Sequence, residues 1–215
     1  MSFFAKCVAL FIFILLMPLF ILVSILSLIF QGAPIFFKQE RVGKNFSIFT
    51  LYKFRTMMNN TNNDFNFDNK NRITAWGKIL RKSKIDELPQ LINIILGDMR
   101  FIGPRPEIPL YVDKNKFDFL NHFHPGLSDY SSILFRDEEK ILSKIENTSP
   151  YETILPFKIA LAQYYCSRKG FWQDLHLVFM TISSIISPKY VNNKFLLPLI
   201  KLQLPEWYGF YKKNI

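Results

Sequence analysis

The sequence predicts a mainly α-helical protein with a few short β-strands and an apolar membrane element at its N-terminus. Residues 8–30 contain no charged side chain, and a run of that length is typical of a membrane helix. Apolar residues recur at helical spacing in much of the remaining chain, most clearly at residues 88–95 and 171–186. Strand-like alternation is confined to short runs such as residues 46–53. The 215 residues are enough for one domain with a buried core.

The composition favours anionic partners. The formal net charge is +10 and the pI is about 9.6, which suits phosphates, nucleic acid or an anionic membrane surface without choosing among them. Part of the excess of phenylalanine, 23 residues, suits a surface that faces lipid. The two cysteines and three histidines show no metal-ligand spacing, so neither a disulfide nor a zinc site is expected.

Pro18 interrupts the apolar run near its middle. Proline removes a backbone hydrogen bond and therefore kinks or breaks a helix. Positive residues flank both ends of the run, with Lys6 before it and Lys38 and Arg41 after it. From these residues alone, a spanning helix and a re-entrant helix that returns to the same side both remain open. The run is too long for a secretory signal peptide and no small-residue cleavage site follows it.

Short elements are predicted between the membrane element and the first acidic motif. Residues 35–37 and 46–53 are predicted to be strands, and residues 73–82 a helix with a basic face. Residues 58–71 are rich in asparagine and aspartate and have no regular period. They are predicted to form a loop, which is either a lid or a plain linker.

An adjacent acidic pair, Asp86 and Glu87, precedes the clearest helix of the chain. Apolar residues at i, i+3, i+4 and i+7 from Leu88 define one face of this helix. Pro89 suits its first turn and Gly97 suits its C-terminal cap. The pair is therefore predicted at a helix N-terminus, where carboxylates commonly only cap the helix and interact with its dipole.

The second half of the chain is predicted to be mostly helical. Residues 103–107 (Gly-Pro-Arg-Pro-Glu) should form a rigid loop that presents Arg105, and residues 124–126 should form a turn. Residues 171–186 carry apolar side chains along one side, which either packs on the core, the commoner case, or lies in the membrane interface. The other helices are expected at residues 108–123, 137–145 and 156–167.

Basic residues surround the acidic pair in sequence, which suggests a role beyond capping. Phosphoryl transfer needs cations that neutralise a diphosphate and a carboxylate that holds Mg²⁺, and a second carboxylate can act as nucleophile. Asp98 adds a third carboxylate one helix further on. No GxxxxGK[ST] or GxGxxG sequence occurs, which argues against a P-loop or Rossmann nucleotide site. The cations are Arg55, Arg81, Lys82, Lys84, Arg100 and Arg105.

Five motifs in a fixed order resemble those of the bacterial sugar transferase family, the monotopic phosphoglycosyl transferases. The resemblance runs from the N-terminal membrane element to about Leu177. Five matches in the right order are far more specific than any one of them. The motifs are Gln39-Glu40-Arg41-Val42-Gly43, Lys53-Phe54-Arg55-Thr56-Met57, residues 86–93 (Asp-Glu-Leu-Pro-Gln-Leu-Ile-Asn), Gly97-Asp98-Met99 with Gly103-Pro104-Arg105-Pro106, and Pro125-Gly126.

The resemblance implies a monotopic membrane protein at the bacterial inner membrane. Residues 1–32 would be a re-entrant membrane helix, and residues 33–215 a compact cytoplasmic catalytic domain with interfacial helices. The implied reaction moves a sugar-1-phosphate from a nucleotide (UDP) diphospho-sugar to polyprenyl (undecaprenyl) phosphate and releases UMP, as the first membrane step of surface glycan assembly. The expected partners are these two substrates, the lipid bilayer and, in a possible homodimer, a second copy of the chain.

The resemblance also assigns roles to individual residues. Asp86 matches the family's nucleophile, which forms a covalent aspartyl-phosphosugar, and Glu87 matches its Mg²⁺ ligand, with Asp86 sharing the metal. Asp98 matches a family position whose role could be structural. Binding of substrate phosphate is expected from Lys53, Arg55, Thr56, Arg81, Pro104, Arg105 and Pro106.

Two positions depart from the family pattern. Many members continue Pro-Gly-Ile-Thr-Gly, whereas this chain has Ser128 and Asp129 in the last two places, a change expected to affect nucleotide or sugar contacts. Some members carry an acidic residue before a late tyrosine pair, where this chain has Ala162 and Gln163, so no extra acidic ligand is assigned there.

Two other functions remain as alternatives. A basic, membrane-anchored nucleic-acid-binding protein would fit the net charge, but the chain carries no nucleic-acid motif and no nucleic-acid partner is expected. A non-catalytic membrane-anchored subunit would keep the same fold for assembly. The intact Asp86-Glu87 pair argues against that second alternative.

Overall fold

Helices account for most of the structure, as predicted, and two pairs of short strands complete it. The structure is a computed structural model that describes residues 3–58, 73–145 and 149–215. All but the first residue of the loop predicted at 58–71 lie outside these ranges. The helices are α1 (Phe3–Leu15), α2 (Met17–Gln31), α3 (Ala75–Ser83), α4 (Gln90–Leu96), α5 (Tyr130–Leu134), α6 (Glu138–Leu142), α7 (Pro150–Ser167), α8 (Phe171–Ile186), α9 (Pro188–Val191), α10 (Leu197–Gln203) and α11 (Tyr208–Asn214). The strands are β1 (Phe36–Val42), β2 (Ile48–Phe54), β3 (Arg100–Ile102) and β4 (Gly126–Ser128).

The N-terminal apolar run forms two helices rather than one. The chain breaks between α1 and α2 with a bend of 58°, and Pro18 lies in the first turn of α2, where its missing N–H costs nothing. Among the described residues, no single helix is long and apolar enough to cross a membrane, whereas α1 and α2 together meet that criterion as a bent pair. The break predicted at Pro18 is thus confirmed.

Both N-terminal helices pack on the rest of the chain along one side only. Ala9 of α1 is fully buried in a cluster with Phe49 and Ile94, and Phe20 of α2 packs near Phe54. Their other sides expose large apolar side chains, which in water would be unfavourable. These are Phe3, Phe4, Leu10, Phe11, Ile14, Leu15, Met17, Ile21, Leu22, Ile25, Leu28, Ile29 and Phe30.

The hairpin of β1 and β2 brings basic residues toward α4. The two strands pair antiparallel, with Phe36 opposite Phe54 and Phe37 opposite Lys53. The strand predicted at residues 46–53 is confirmed as β2, and the strand predicted at residues 35–37 continues further, as β1. Because side chains alternate along a strand, Lys53 shares a face with the buried Phe49. Lys53 therefore points to the same side as the core beneath α4.

The helix predicted at residues 108–123 is wrong. The segment contains only two 3₁₀ turns, Pro109–Tyr111 and Asp118–Asn121. Asp113 Oδ1 accepts a hydrogen bond from the backbone N–H of Asn115 at 2.8 Å, a local turn that competes with helix formation. The turn expected at residues 124–126 runs directly into β4, which pairs parallel with β3. This pairing could not be predicted from a short-range pattern, because β3 lies about 26 residues before β4 in the sequence.

Helix α8 has the predicted bounds, but its predicted apolar side does not pack on the core. Leu177, Met180 and Ser184 are buried against the main core instead. The core-packing interpretation is therefore wrong for the side chains on which it was based. They form a second exposed apolar surface, in addition to that of α1 and α2. These side chains are Phe171, Leu175, Val178, Phe179, Ile182, Ile185 and Ile186.

The main core lies between α7, α8 and the C-terminal helices. Helix α7 starts at Pro150, six residues before the predicted start, and contains Pro156 within it. Phe157 is fully buried and stacks on Trp207 with ring centroids 4.9 Å apart. The segment after α8 thus packs on α7, and α7 also contacts α5.

Candidate active site

Asp86 and Glu87 lie at a sharp reversal between two helices. Helix α3 ends at Ser83, Lys84 adopts a left-handed conformation with φ of 60°, and a 3₁₀ turn over Ile85–Glu87 leads into α4. The relative exposure of Asp86 is 7% and that of Glu87 is 9%. The predicted position at a helix N-terminus is confirmed, and Gly97 ends α4 with φ of 105°, as expected of a glycine cap. Two adjacent carboxylates are thus held out of bulk water.

Three cations converge on Glu87. Lys53 Nζ lies 2.8 Å from Glu87 Oε1, and Arg105 Nη2 lies 3.5 Å from the same oxygen. Lys84 Nζ is 4.0 Å from Oε2. Burial alone would raise the pKa of Glu87, but Lys53, Lys84 and Arg105 outweigh it and hold that pKa well below its usual range. Glu87 is therefore ionised at neutral pH.

Asp86 is in the opposite electrostatic situation. Burial, followed by the negative charge of Glu87, raises the pKa of Asp86 above its usual value, although Lys53, Lys84 and Arg81 oppose this. Its Oδ1 atom is buried and has no hydrogen-bond partner among the described residues. A carboxylate with an unsatisfied oxygen and a raised pKa is a stronger base and nucleophile than an ordinary aspartate.

The cations at the pair come from elements distant in sequence. Lys53 is supplied by β2, and burial lowers its pKa against the opposing effect of Glu87. Arg105 is supplied by the loop at residues 103–107, which has no regular secondary structure, as predicted. Burial acts against the charge of Arg105, but Glu87, Glu138 and Asp129 outweigh it, so the pKa of Arg105 is raised. Arg105 is therefore charged, and the negative charge of Glu87 opposes the loss of charge at Lys53.

Other predicted phosphate-binding residues contact the protein itself. Arg55 Nη2 donates to the carbonyl oxygens of Gln31 and Gly32, 2.6 Å from each, and so fixes the end of α2. Arg81 Nε donates to Thr56 Oγ1 at 2.9 Å, and its guanidinium also pairs with Glu139. Arg55, Thr56 and Arg81 are therefore engaged by other protein groups, while Lys53 and Arg105 contact the acidic pair.

The two prolines of the predicted set act through their backbone. The carbonyl of Pro104 accepts from the N–H of Gly126 at 2.9 Å, and the carbonyl of Pro106 accepts from Arg41 Nη1 at 3.0 Å. These bonds tie the loop at residues 103–107 to β4 and to β1. Asp98 Oδ2 lies 3.4 Å from Asn93 Nδ2, which supports the structural role considered for Asp98.

Sequence reasoning missed two sets of residues. Asn93, fully buried, donates to the carbonyl of Thr50 at 2.7 Å and accepts from the N–H of Tyr52 at 3.2 Å, which joins α4 to β2. An asparagine within the apolar face of a short helix is the signal that could have revealed it. The second set is a buried network behind the Arg105 loop, which no local pattern indicates. It contains Arg41, Glu107, Glu138, Tyr151 and Lys158.

Close packing of α3 on Thr56 gives a stability prediction. A Cβ atom on Gly77 would lie 2.0 Å from the carbonyl oxygen of Thr56. Gly77→Ala is therefore expected to destabilise the protein by about 1–3 kcal/mol, although alanine favours helices. Gly209 in α11 is the matched control, because a Cβ there meets no atom within 4 Å. Thermal unfolding should show a lower midpoint for Gly77→Ala only, and equal midpoints would contradict the packing.

The donor set at the pair fits Mg²⁺ of the kind that also binds substrate phosphates. Such sites use one or two carboxylates and complete the octahedral shell with phosphate oxygens and water. Asp86 Oδ1 and Glu87 offer hard oxygen ligands, and the unsatisfied Asp86 oxygen is consistent with a ligand there. Among the residues that the structure describes, no group of three or more potential metal ligands forms a complete protein cage.

Comparison with known proteins supports the resemblance of the motifs. Residues 2–188 match the model of the family described as bacterial sugar transferase. A UDP-N-acetylgalactosamine-undecaprenyl-phosphate N-acetylgalactosaminephosphotransferase of Aeromonas hydrophila is 34% identical over 181 residues, which make up 79% of this chain and 40% of that protein. The chain thus spans less than half of that relative.

Other relatives match over most of both chains. The uncharacterized sugar transferase EpsL of Bacillus subtilis (strain 168) is 34% identical over 160 residues, 72% of this chain and 71% of that protein. The exopolysaccharide production protein ExoY of Sinorhizobium fredii is 34% identical over 194 residues, with coverage of 80% and 79%. Because the family model covers residues 2–188 and these relatives align along most of their length, the chain belongs to the bacterial sugar transferase family.

Proposed function

We propose that this protein transfers a sugar-1-phosphate from a UDP-sugar to undecaprenyl phosphate and releases UMP. The observation that carries the proposal is the adjacent buried pair Asp86 and Glu87, whose pKa values are shifted in opposite directions. Lys53 and Arg105 beside the pair supply the positive charge that a diphosphate needs. The names of the relatives from Aeromonas hydrophila and Salmonella typhimurium specify undecaprenyl phosphate as their acceptor.

In the proposed reaction, Asp86 is the nucleophile. A carboxylate oxygen of Asp86 bonds to the phosphorus nearest the sugar, and the bond from that phosphorus to the bridging oxygen breaks, so UMP leaves. An oxygen of undecaprenyl phosphate then attacks the same phosphorus, and Asp86 leaves as a carboxylate. The covalent intermediate lets a soluble donor and a membrane-held acceptor react in turn.

Glu87 and the cations would stabilise charge in both steps. Lys53 and Arg105 are positioned to bind phosphate oxygens, which would replace part of their present interaction with Glu87. Mg²⁺ held by Asp86 and Glu87 would neutralise negative charge on the phosphates. The buried position of the pair keeps water from competing with the acceptor.

The reaction is tested by assaying UMP release. Detergent-extracted protein is incubated with a panel of UDP-sugars, undecaprenyl phosphate and Mg²⁺, and each reaction is repeated without the lipid. Release that depends on one UDP-sugar and on the lipid would support the proposal and identify the sugar. No release with any donor, from folded protein, would refute it. Retention of the protein on nucleic acid in a salt-dependent manner would instead favour the nucleic-acid alternative.

We also propose that α1 and α2 enter the bilayer from the cytoplasmic face of the inner membrane and return to it. The bend of 58° after Leu15 and the exposed apolar sides of both helices support a re-entrant element. The exposed apolar side of α8 would lie in the membrane interface. The possible homodimer stays a prediction.

The topology prediction concerns the two ends of this element. In a background free of Cys7 and Cys166, cysteines at Phe3 and at Lys38 should both react with a membrane-impermeant thiol reagent only from the cytoplasmic side. Labelling of the Phe3 position from the periplasm would contradict the re-entrant topology. Pro18→Leu supplies an N–H that one continuous helix could use, so it should straighten the break and move a fraction of the Phe3 label to the periplasmic side.

A further inference from the structure

Asp129 is a buried carboxylate that contacts two separate elements. It is 1% exposed and lies at the N-cap of α5. Its Oδ1 accepts from the backbone N–H of Ser132 at 2.7 Å, within a capping box. Its Oδ2 accepts from the backbone N–H of Arg105 at 3.2 Å. Each oxygen of the carboxylate therefore has its own donor, one in the helix and one in the loop at residues 103–107.

Capping alone does not account for this residue. Serine, threonine and asparagine cap helices about as well as aspartate and carry no charge, and burying a carboxylate is costly unless it is fully hydrogen-bonded. Burial raises the pKa of Asp129, and the hydrogen bonds from Ser132 and Arg105 oppose that shift. The bond to Arg105 uses the second oxygen, which a capping serine would not provide.

The loop that carries Arg105 depends on contacts with the segment that ends at Asp129. The N–H of Gly103 donates to the carbonyl of Ser128 at 3.2 Å, and the N–H of Gly126 donates to the carbonyl of Pro104 at 2.9 Å. The bond that the N–H of Arg105 donates to Asp129 is the next contact along the loop. Arg105 and Asp129 also line one small cavity of about 10 Å³.

We propose that Asp129 is a positioning residue, which fixes the backbone of Arg105 so that its guanidinium lies beside Glu87, with Nη2 3.5 Å from Oε1. The proposal deepens the proposed function and rests on it for its effect on activity. Asp129 touches neither the acidic pair in the structure nor a substrate phosphate in the proposed reaction, so it acts only through Arg105.

The first test separates positioning from capping. Asp129→Ser keeps a capping oxygen for Ser132 and removes the acceptor for Arg105, whereas the control Ser132→Ala weakens the capping box and keeps the bond to Arg105. Because a displacement of about 1 Å can cost about 10²-fold in rate, Asp129→Ser should lower kcat/KM for the UDP-sugar about 10- to 100-fold. Ser132→Ala should leave kcat/KM unchanged. Equal losses in both variants would overturn the proposal.

A double-mutant cycle asks whether Asp129 acts through Arg105. Arg105→Ala should be strongly impaired, and adding Asp129→Ser to it should cause no further loss, because the side chain to be positioned is already gone. Additive losses would show that Asp129 acts by another route and would overturn the proposal.

Amide hydrogen exchange tests the role of Asp129 without an activity assay, so its outcome does not depend on the proposed function. In the wild-type protein the amide of Arg105 should be protected from hydrogen exchange at neutral pH, and in Asp129→Ser it should exchange at least about 10-fold faster, while the amide of residue 132 stays protected. An unprotected Arg105 amide in the wild type would overturn the proposal even if Asp129→Ser failed to fold. If no UDP-sugar supports UMP release, the proposed function fails, and the exchange of the Arg105 amide still decides whether Asp129 positions the loop.

Discussion

Asp86→Asn is expected to abolish transfer while leaving the fold intact. The amide has nearly the same shape as the carboxylate but cannot form the bond to phosphorus, and loss of a covalent nucleophile costs more than about 10³-fold in turnover. The raised pKa of Asp86 gives a second expectation. A carboxyl group whose pKa is higher in the folded state contributes stability below the ordinary carboxyl range and loses it as the pH rises through the raised pKa.

At neutral pH the charge of Asp86 therefore costs stability, and Asp86→Asn should unfold at the same temperature as the wild type or at a higher one. An inactive variant that is no less stable would separate loss of chemistry from loss of fold. The two proteins are compared without Mg²⁺, because a bound cation would favour the ionised form of Asp86.

The covalent intermediate can be measured directly. With labelled UDP-sugar and no lipid, the wild-type protein should retain the sugar label and release UMP, and Asp86→Asn should do neither. Steady-state kinetics should follow a ping-pong pattern. The competing scheme is direct attack by the lipid phosphate, with Asp86 only orienting the lipid phosphate or the metal. If Asp86→Asn kept more than a few per cent of activity, or if no adduct formed on the wild type, the covalent route would be wrong while the overall reaction could still hold.

Glu87→Gln is expected to reduce both turnover and stability, in contrast to the change at its neighbour. Glu87 is ionised and buried and pairs with the partly exposed Lys53 and Arg105, so the amide leaves these cations without their charged partner. Breaking a partly buried ion pair of this kind costs about 1–3 kcal/mol, between the values for exposed and buried pairs. Glu87→Gln should thus lower the thermal midpoint, whereas Asp86→Asn should leave it equal to that of the wild type or raise it. Equal midpoints for Asp86→Asn and Glu87→Gln would contradict the charge arrangement described for the pair.

The loss of turnover in Glu87→Gln should be about 10²-fold or more, because charge on the phosphates would be less well neutralised. If Glu87 holds Mg²⁺, the variant should need a higher Mg²⁺ concentration for half-maximal rate, and excess chelator should stop the wild-type reaction. Glu87→Asp is the matched control, since it keeps the charge and should retain part of the metal response. Full wild-type activity in excess chelator would refute the metal role.

Local signals predicted much of the site. The position of Asp86 and Glu87 before α4 follows from Pro89, the apolar face from Leu88 and the glycine cap at Gly97, all within a dozen residues. The bounds of α8 follow from its helical spacing in the same way. Spacing did not predict which side of α8 would be buried, because several of its sides are apolar and only the neighbouring elements select one.

The sequence by itself determined the family, the acidic pair and the chemistry that such residues can perform, because these depend on residue type and short-range order. Tertiary structure alone decided the ionisation of the pair and the choice of cations. Lys53 reaches Glu87 across 34 positions, while Arg55, two residues further on, anchors the end of α2 instead. Tertiary structure also gave Asp129 its second donor, 24 positions away in the chain. A pKa depends on burial and on charges brought close in space, and neither can be read from neighbours in the chain.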